Sequence, residues 1–240
     1  MERMDQLWPG GYRFYFDDTL FQPSTDSFLL GAFPKLRRGD RVCDLGAGTG
    51  LLGLLLLARE PSLHVTNVER QAASHALSVR NAALNGLDRQ VTCLHGDLRD
   101  KAQLPTAGSF DLVVSNPPYF PAGCGLVSPQ ASRRDARSEV TCTLGEVCAA
   151  AARLLRYGGR FAVVFRPDRL VDLTDTLRQS RLEPKRLRFV QHTAADAPSL
   201  LLLEARKGGR PGLTVEPPLL HYTDGAESAE WQRMYFRDKE

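Results

Sequence analysis

The sequence predicts an α/β fold: a doubly wound, mostly parallel sheet of seven strands, preceded by a short N-terminal extension. Three observations predict it. From residue 40 onward, short apolar runs alternate with longer segments of helical periodicity, the pattern of strand–helix crossovers. A glycine turn, Gly46-Ala47-Gly48-Thr49-Gly50, joins the first of these strands to the apolar helix that starts at Leu51. The apolar run Phe110–Val114 then stops at Ser115-Asn116-Pro117-Pro118-Tyr119, where two prolines forbid any further ladder bonds.

Composition narrows the class. The chain has 240 residues, 42% hydrophobic and 25% charged, enough for the core of one α/β domain. Its net charge of +3 is compatible with a nucleic-acid partner without demanding one. The start, Met1 to Asp5, lacks the basic-then-apolar pattern of a signal peptide. The longest apolar run, Leu51 to Ala58, is interrupted by Gly53 and is too short for a bilayer. Cys43, Cys93, Cys124, Cys142 and Cys148 form no C-x-x-C pair, so neither a disulfide framework nor a zinc site is expected. These features predict a cytoplasmic protein with no membrane segment and no metal.

The elements follow in order. Residues 1–33 are aromatic-rich (Trp8, Tyr12, Phe14, Tyr15, Phe16, Phe21, Phe28) and broken at Pro9-Gly10-Gly11. They predict a hairpin or extended arm leading into a helix from about Thr25 to Phe33. This extension is expected to cover the core edge of a single domain spanning residues 34–240. Asp40–Leu45 and His64–Val68 read as the first two parallel strands. A helix over 71–86 is expected to bury Ala72, Ala73, Ala76, Leu77, Ala83 and Leu84, with Asn85-Gly86 as a left-handed cap. Gln90–Leu94 and Phe110–Ser115 are the third and fourth strands. Residues 120–140 read as an irregular stretch, followed by a helix over 144–155 and a strand over 160–165. Asp168 to Ser180 predicts an amphipathic helix with Asp168 as N-cap and Leu170, Val171, Leu173 and Leu177 inward. Residues 187–192 and 199–203 form an antiparallel pair, and 225–236 a last helix packed back onto the body.

The strand ends carry the chemistry. Glu69, at the tip of the second strand, is placed to accept from both hydroxyls of a ribose. Asp44, directly before the glycine turn, would repel a pyrophosphate and attract an ammonium group. A ribosyl ligand with a cationic amino-acid part satisfies both carboxylates, and S-adenosyl-L-methionine is such a ligand. Asp97, after the third strand, could accept from its adenine amino group. The Asn116 amide, the Pro117 carbonyl and the Tyr119 ring form an acceptor site beside a stacking face, suited to a planar group with an exocyclic NH2 such as adenine. His95 reads as an ordinary loop histidine. Arg133, Arg134 and Arg137 fit phosphate contacts, since the guanidinium fork matches phosphate oxygens. Lys207 joins them from a locally basic C-terminal part.

Together, Val42-Cys43-Asp44-Leu45-Gly46-Ala47-Gly48-Thr49-Gly50, Glu69, Asp97 and Asn116-Pro117-Pro118-Tyr119 resemble class I S-adenosylmethionine-dependent methyltransferases of the amino-methylating type. Three further segments narrow the resemblance to the bacterial tRNA1(Val) adenine-37 N6-methyltransferase family: Thr25-Asp26-Ser27-Phe28-Leu29-Leu30-Gly31-Ala32-Phe33, Ala136-Arg137-Ser138-Glu139 and Lys207 through Gly212. It runs over nearly the whole chain. It implies a Rossmann-like seven-stranded fold and a tRNA partner, and a monomer or weak homodimer is expected. It implies a cofactor site at Asp44, Gly46, Ala47, Gly48, Gly50, Glu69, Asp97 and Asn116, and catalysis by Asn116, Pro117, Pro118 and Tyr119. Methylation of a glutamine amide in a release factor would use the same turn. Relatives of that kind carry a long helical domain before the glycine turn, and only about 40 residues precede it here. A non-catalytic RNA-binding protein on the same scaffold would be expected to lose one of the two turns, and both are intact.

Overall fold

The computed structural model describes residues 1–20, 23–117 and 142–239. The N-terminal segment forms a hairpin, β1 (Glu2–Gln6) and β2 (Arg13–Asp17), with Glu2 opposite Asp17 and Gln6 opposite Arg13. Leu7 and Phe14 are buried in the same core cluster as Leu29, Leu56 and Leu112. The predicted helix follows as α1 (Thr25–Ala32).

Seven strands make the body of one sheet: β3 (Arg41–Leu45), β4 (His64–Glu69), β5 (Val91–His95), β6 (Phe110–Ser115), β7 (Leu155–Phe165), β8 (Leu182–Gln191) and β9 (Leu200–Lys207). They lie in the order β8-β9-β7-β6-β3-β4-β5. β3 to β7 are parallel, and β9 runs antiparallel to both β7 and β8. Val42, Leu112, Val114, Ala162 and Val164 face one core cluster, while Cys43, Val113, Phe161 and Val163 face the other. A strand buried on both faces must be apolar on both, and these strands read as continuous apolar runs for that reason. α2 (Leu51–Arg59) packs on the first face, every residue from Leu51 to Leu57 buried between the sheet and α1. α4 (Leu144–Leu154) and α5 (Leu170–Gln179) pack on the second. Thr143 and Glu146 start α4 with a reciprocal capping box.

Five expectations are corrected. Two two-residue strands, β10 (Thr214–Val215) and β11 (Leu219–Leu220), pair parallel with β8 and extend the sheet to nine strands. They are too short to show a period of two. Next, α3 (Ala72–Leu84) buries Ser74, Leu77, Ser78, Asn81 and Ala82, and its Ala72, Ala73, Ala76 and Ala83 face solvent. The buried stripe of α3 is largely polar: Asn81 meets backbone groups of Tyr15 and Thr49, and Ser78 meets the Asn67 and Cys93 side chains. Gly86 N donates to Ala83 O and Leu87 N to Ala82 O, so the predicted Asn85-Gly86 cap is as expected. Third, Asp168 does not cap α5. It lies in a short 3₁₀ turn, its carboxylate held by the Arg166 guanidinium at 3.0 Å. Fourth, Val171 is 78% exposed, whereas Leu173 and Leu177 are buried. The last predicted helix is shorter than expected: a small hairpin, β12 (Tyr222–Thr223) and β13 (Ala226–Glu227), precedes α6 (Ala229–Met234), which buries Trp231.

Candidate active site at the carboxyl edge of the sheet

Because β3, β4, β5 and β6 are parallel, their carboxyl ends share one edge. The chain leaves β3 through α2 to β4 on one side and returns to β6 on the other. This reversal opens a crevice between the ends of β3 and β6, the place where α/β sheets bind ligands. Asp44 and Leu45 end β3, Glu69 ends β4, Asp97 follows β5 and Asn116 follows β6. Neighbouring strands lie about 4.8 Å apart, so Asn116 stands roughly one strand from Asp44 and three from Asp97.

The glycine turn is anchored from behind. Gly46 N and Ala47 N donate to Val68 O at 2.9 and 3.1 Å, and Gly48 N donates to Glu69 Oε2 at 2.9 Å. Glu69 Oε1 accepts from Gln71 N at 2.7 Å. Each Glu69 oxygen therefore holds one backbone N–H and keeps a lone pair for another donor. Gly46 has φ +75° and open space where a side chain would start, which leaves the backbone approachable. Gly50, at φ +79°, is a different case. A Cβ there would come within 2.6 Å of Ser78 Oγ and 2.8 Å of Asn67 Nδ2, so the close approach at Gly50 is made by the protein's own side chains from α3 and β4.

Asp44 is 1% exposed, and its Oδ2 has no hydrogen-bond partner among the described residues. Burial, reinforced by the nearby Glu69 charge, pushes its carboxyl from 3.8 up to about 8. A buried acceptor without a donor is costly, and a cationic ligand group at this spot would supply the donor. Asp97 is differently placed. Arg99 grips both its oxygens at 2.6–3.1 Å, and these bonds hold its carboxyl below the usual range. His95 ends β5, its Nε2 2.9 Å from Arg70 O.

Ser115 is a positioning residue that sequence reasoning missed. It is buried, and its hydroxyl donates to Leu45 O at 2.8 Å, tying the end of β6 to the residue before the glycine turn. Asn116 and Pro117 leave the sheet from that tie. A second tie reaches the turn from α3: the Asn81 amide donates to Thr49 O at 2.9 Å. Helical spacing of polar residues in α3 was the available signal. Pro118, Tyr119, Arg133, Arg134 and Arg137, with the segment 120–140, lie outside the described residues. Lys207 is not brought to this site. It ends the antiparallel strand β9, opposite Leu182 at the start of β8, and its Nζ donates to Leu155 O at 2.7 Å. That is the far edge of the sheet.

With this geometry established, comparison with known proteins decides the family. Residues 23–181 match the family described as the methyltransferase small domain. A tRNA1(Val) (adenine(37)-N6)-methyltransferase from Porphyromonas gingivalis is 32% identical over 92% of this chain and 91% of its own length. One from Dickeya chrysanthemi is 34% identical over 85% of this chain and 81% of its own. The chain belongs to the tRNA1(Val) (adenine(37)-N6)-methyltransferase family. Among solved structures, a predicted O-methyltransferase from Agrobacterium tumefaciens superposes with a TM-score of 0.73 at 21% identity, over 88% of this chain and 96% of that one. A 16S rRNA N2 G1207 methyltransferase from T. thermophilus, solved with its methyl donor and guanosine, gives 0.60 at 24% identity over 86% and 50%. Both likenesses establish the Rossmann-like fold of class I methyltransferases. Membership of this family makes the chain an S-adenosylmethionine-dependent methyltransferase. The residues present fit that cofactor: an unpartnered buried carboxylate oxygen, an open glycine face and a carboxylate with free lone pairs stand along one edge. No helix among the described residues is long and apolar enough to cross a membrane.

Proposed function

We propose that the chain methylates the exocyclic N6 of an adenine in tRNA, the adenine at position 37 of a valine tRNA as in its named relatives. Support comes above all from the junction of β3 and β6, where an unsatisfied Asp44 oxygen and Asn116 stand at neighbouring strand ends tied by Ser115.

In this reading Asp44 accepts from the cofactor's amino group, Glu69 from its ribose hydroxyls and Asp97 from its adenine. Gly46, Ala47, Gly48 and Gly50 form the turn against which it lies. When bound, S-adenosylmethionine supplies an electrophilic methyl group on a good leaving group, so positioning is the main task left to the protein. The lone pair of N6 is delocalised into the adenine ring and is a poor nucleophile. The Asn116 side-chain oxygen and the Pro117 carbonyl accept its two N–H bonds, favour a tetrahedral nitrogen and free that lone pair. Pro118 stiffens the turn, because its ring fixes the backbone and restricts Pro117 before it. Tyr119 stacks on the base, which must leave its neighbours' stack; such stacking contributes on the order of 1–3 kcal/mol. No strong base is required, since the proton leaves to solvent after transfer. Arg133, Arg134 and Arg137 contact tRNA phosphates. Residues 1–33 act as an extension on the catalytic domain of residues 34–240, and a tRNA substrate places the protein in the cytoplasm.

The test is methyl transfer from labelled S-adenosylmethionine to total tRNA, with total protein in parallel, followed by nucleoside analysis. N6-methyladenosine in one valine tRNA is expected, and Asn116→Ala should bind cofactor while losing turnover. Label in a protein of release-factor size, or full activity in Asn116→Ala, would overturn the reading. An Arg133→Glu/Arg134→Glu variant should lose tRNA affinity most at low salt, where phosphate contacts are strongest.

A further inference from the structure

Four side chains able to both donate and accept hydrogen bonds recur along α3 at helical spacing: Ser74, Ser78, Asn81 and, at its C-cap, Asn85. The first three are 1–2% exposed. Polar groups buried on a helix destabilise it unless each finds a partner, so the stripe has a task.

The asparagines take the backbone of β2. Asn85 Oδ1 accepts from Arg13 N at 2.8 Å and its Nδ2 donates to Arg13 O at 2.7 Å. Asn81 repeats the pattern one alternate residue along, with Tyr15 N at 2.6 Å and Tyr15 O at 3.0 Å. Each side-chain amide thus replaces the N–H and C=O that a neighbouring strand would offer, and together they occupy one edge of the hairpin. The two differ in their second N–H. That of Asn85 goes to Asn81 O at 2.7 Å, within the helix. That of Asn81 goes to Thr49 O at 2.9 Å, in the glycine turn. The turn is seated on the same stripe at Gly50, which leaves no room for a side chain against Ser78 Oγ. One buried amide therefore holds both the hairpin and the turn.

We infer that Asn81 is a positioning residue for the cofactor turn, and that through it docking of the N-terminal hairpin and binding of S-adenosylmethionine reinforce each other. The inference rests on the reading that the glycine turn holds that cofactor. Coupling of this kind is reciprocal: a hairpin in place fixes Thr49 O, and an occupied turn strengthens the hairpin's hold.

The experiment compares Asn81→Ala with Asn85→Ala in the full chain. Both remove a pair of hairpin bonds, and only the first touches the turn. Calorimetric titration with S-adenosylmethionine should show Asn81→Ala binding on the order of tenfold more weakly, the loss of about one well-placed hydrogen bond. Asn85→Ala should stay within about twofold of wild type. In turnover, Asn81→Ala should raise KM for the cofactor while kcat holds. Equal weakening in both variants, or none in either, would overturn the inference. Should Asn81→Ala fail to fold, amide exchange on the wild-type chain decides. S-adenosylmethionine should slow exchange in the peptide covering Arg13 to Tyr15, and unchanged exchange with cofactor bound would overturn the coupling. A wild-type chain that binds no S-adenosylmethionine would overturn the underlying reading, and the inference with it.

Discussion

Cofactor binding should release a proton from Asp44. Without a ligand, burial holds this carboxyl near 8, so at pH 7 only about a tenth of the molecules carry it ionised. A cationic amino group pairs with the ionised form alone. Apparent affinity should therefore rise almost tenfold between pH 6 and pH 7, peak near pH 8 and fall above it as the ligand's own α-amino group, with an ordinary value of about 7.7–8.0, loses its proton, a gain of roughly 20-fold between pH 6 and pH 8. The stability of the free chain should move the other way. The folded state holds this proton more tightly than the unfolded state, whose value is 3.8, so the contribution is full below about pH 4. It is lost as pH rises toward 8, with a ceiling on the order of 5 kcal/mol. Carboxylates held below their ordinary range, such as Glu216 and Glu230 beside Arg186 and Arg188, act in the opposite sense and only in acid. Titration calorimetry at pH 6, 7, 8 and 9, in two buffers of different ionisation enthalpy, reads affinity and proton release together. Asp44→Asn should flatten both. A wild-type affinity constant across this range, with no buffer-dependent heat, would refute the argument.

Other outcomes follow from single contacts. Ser115→Ala should cost about 1–2 kcal/mol in denaturant unfolding by leaving Leu45 O without its buried donor, and should lower turnover more than cofactor affinity. Gly46→Ala and Gly50→Ala both strain a left-handed backbone, by about 1–2 kcal/mol each, but only the second meets atoms. Thermal melts should show Gly50→Ala as the less stable, whereas Gly46→Ala should fold and lose cofactor binding in the calorimeter. Lys207→Gln should leave tRNA affinity within about twofold of wild type in a low-salt filter-binding assay, because its ammonium serves Leu155 O at the far edge of the sheet.

Strands were legible wherever both faces are buried. Val42–Leu45, Val65–Val68 and Leu112–Ser115 admit only small or apolar side chains apart from Asp44, Thr66, Asn67 and Ser115; of these Asn67 donates to Ser78 on α3, Ser115 ends β6 and bonds to Leu45 O, and Thr66 is only half-buried. The carboxylates at the strand tips were legible too, because position on a parallel strand fixes the edge a side chain reaches. Partners far apart in sequence were not. The antiparallel pairing of β8 with β9 was legible, but nothing local to Lys207 says that β9 also runs against β7 and so brings its ammonium to Leu155 O. Nor does anything near Asp97 say that Arg99 grips it, since a pair two residues apart meets only in particular turn geometries. The reading of α3 failed for a more general reason. Apolar periodicity locates a buried face only when the neighbouring surface is apolar side chains; against the backbone of β2 and the glycine turn the complementary residues are Asn81 and Asn85, and against the Asn67 side chain Ser78.

Glu69 and Asp44 make the division of labour at the site clear. Glu69 is met on both oxygens by backbone N–H groups of Gly48 and Gln71, so its geometry is complete before a ligand arrives. Asp44 is buried beside it with an oxygen that no described group meets. A fold selected for stability alone would place an apolar residue or an amide there. Asp44→Asn should accordingly stabilise the free chain at pH 8, less so at pH 5 where the native carboxyl is already protonated, and should weaken cofactor binding to a level that no longer rises with pH. The deficit in the free protein is the difference in binding that a cation recovers, so stability and affinity at this residue should change in opposite directions in every substitution that removes the charge.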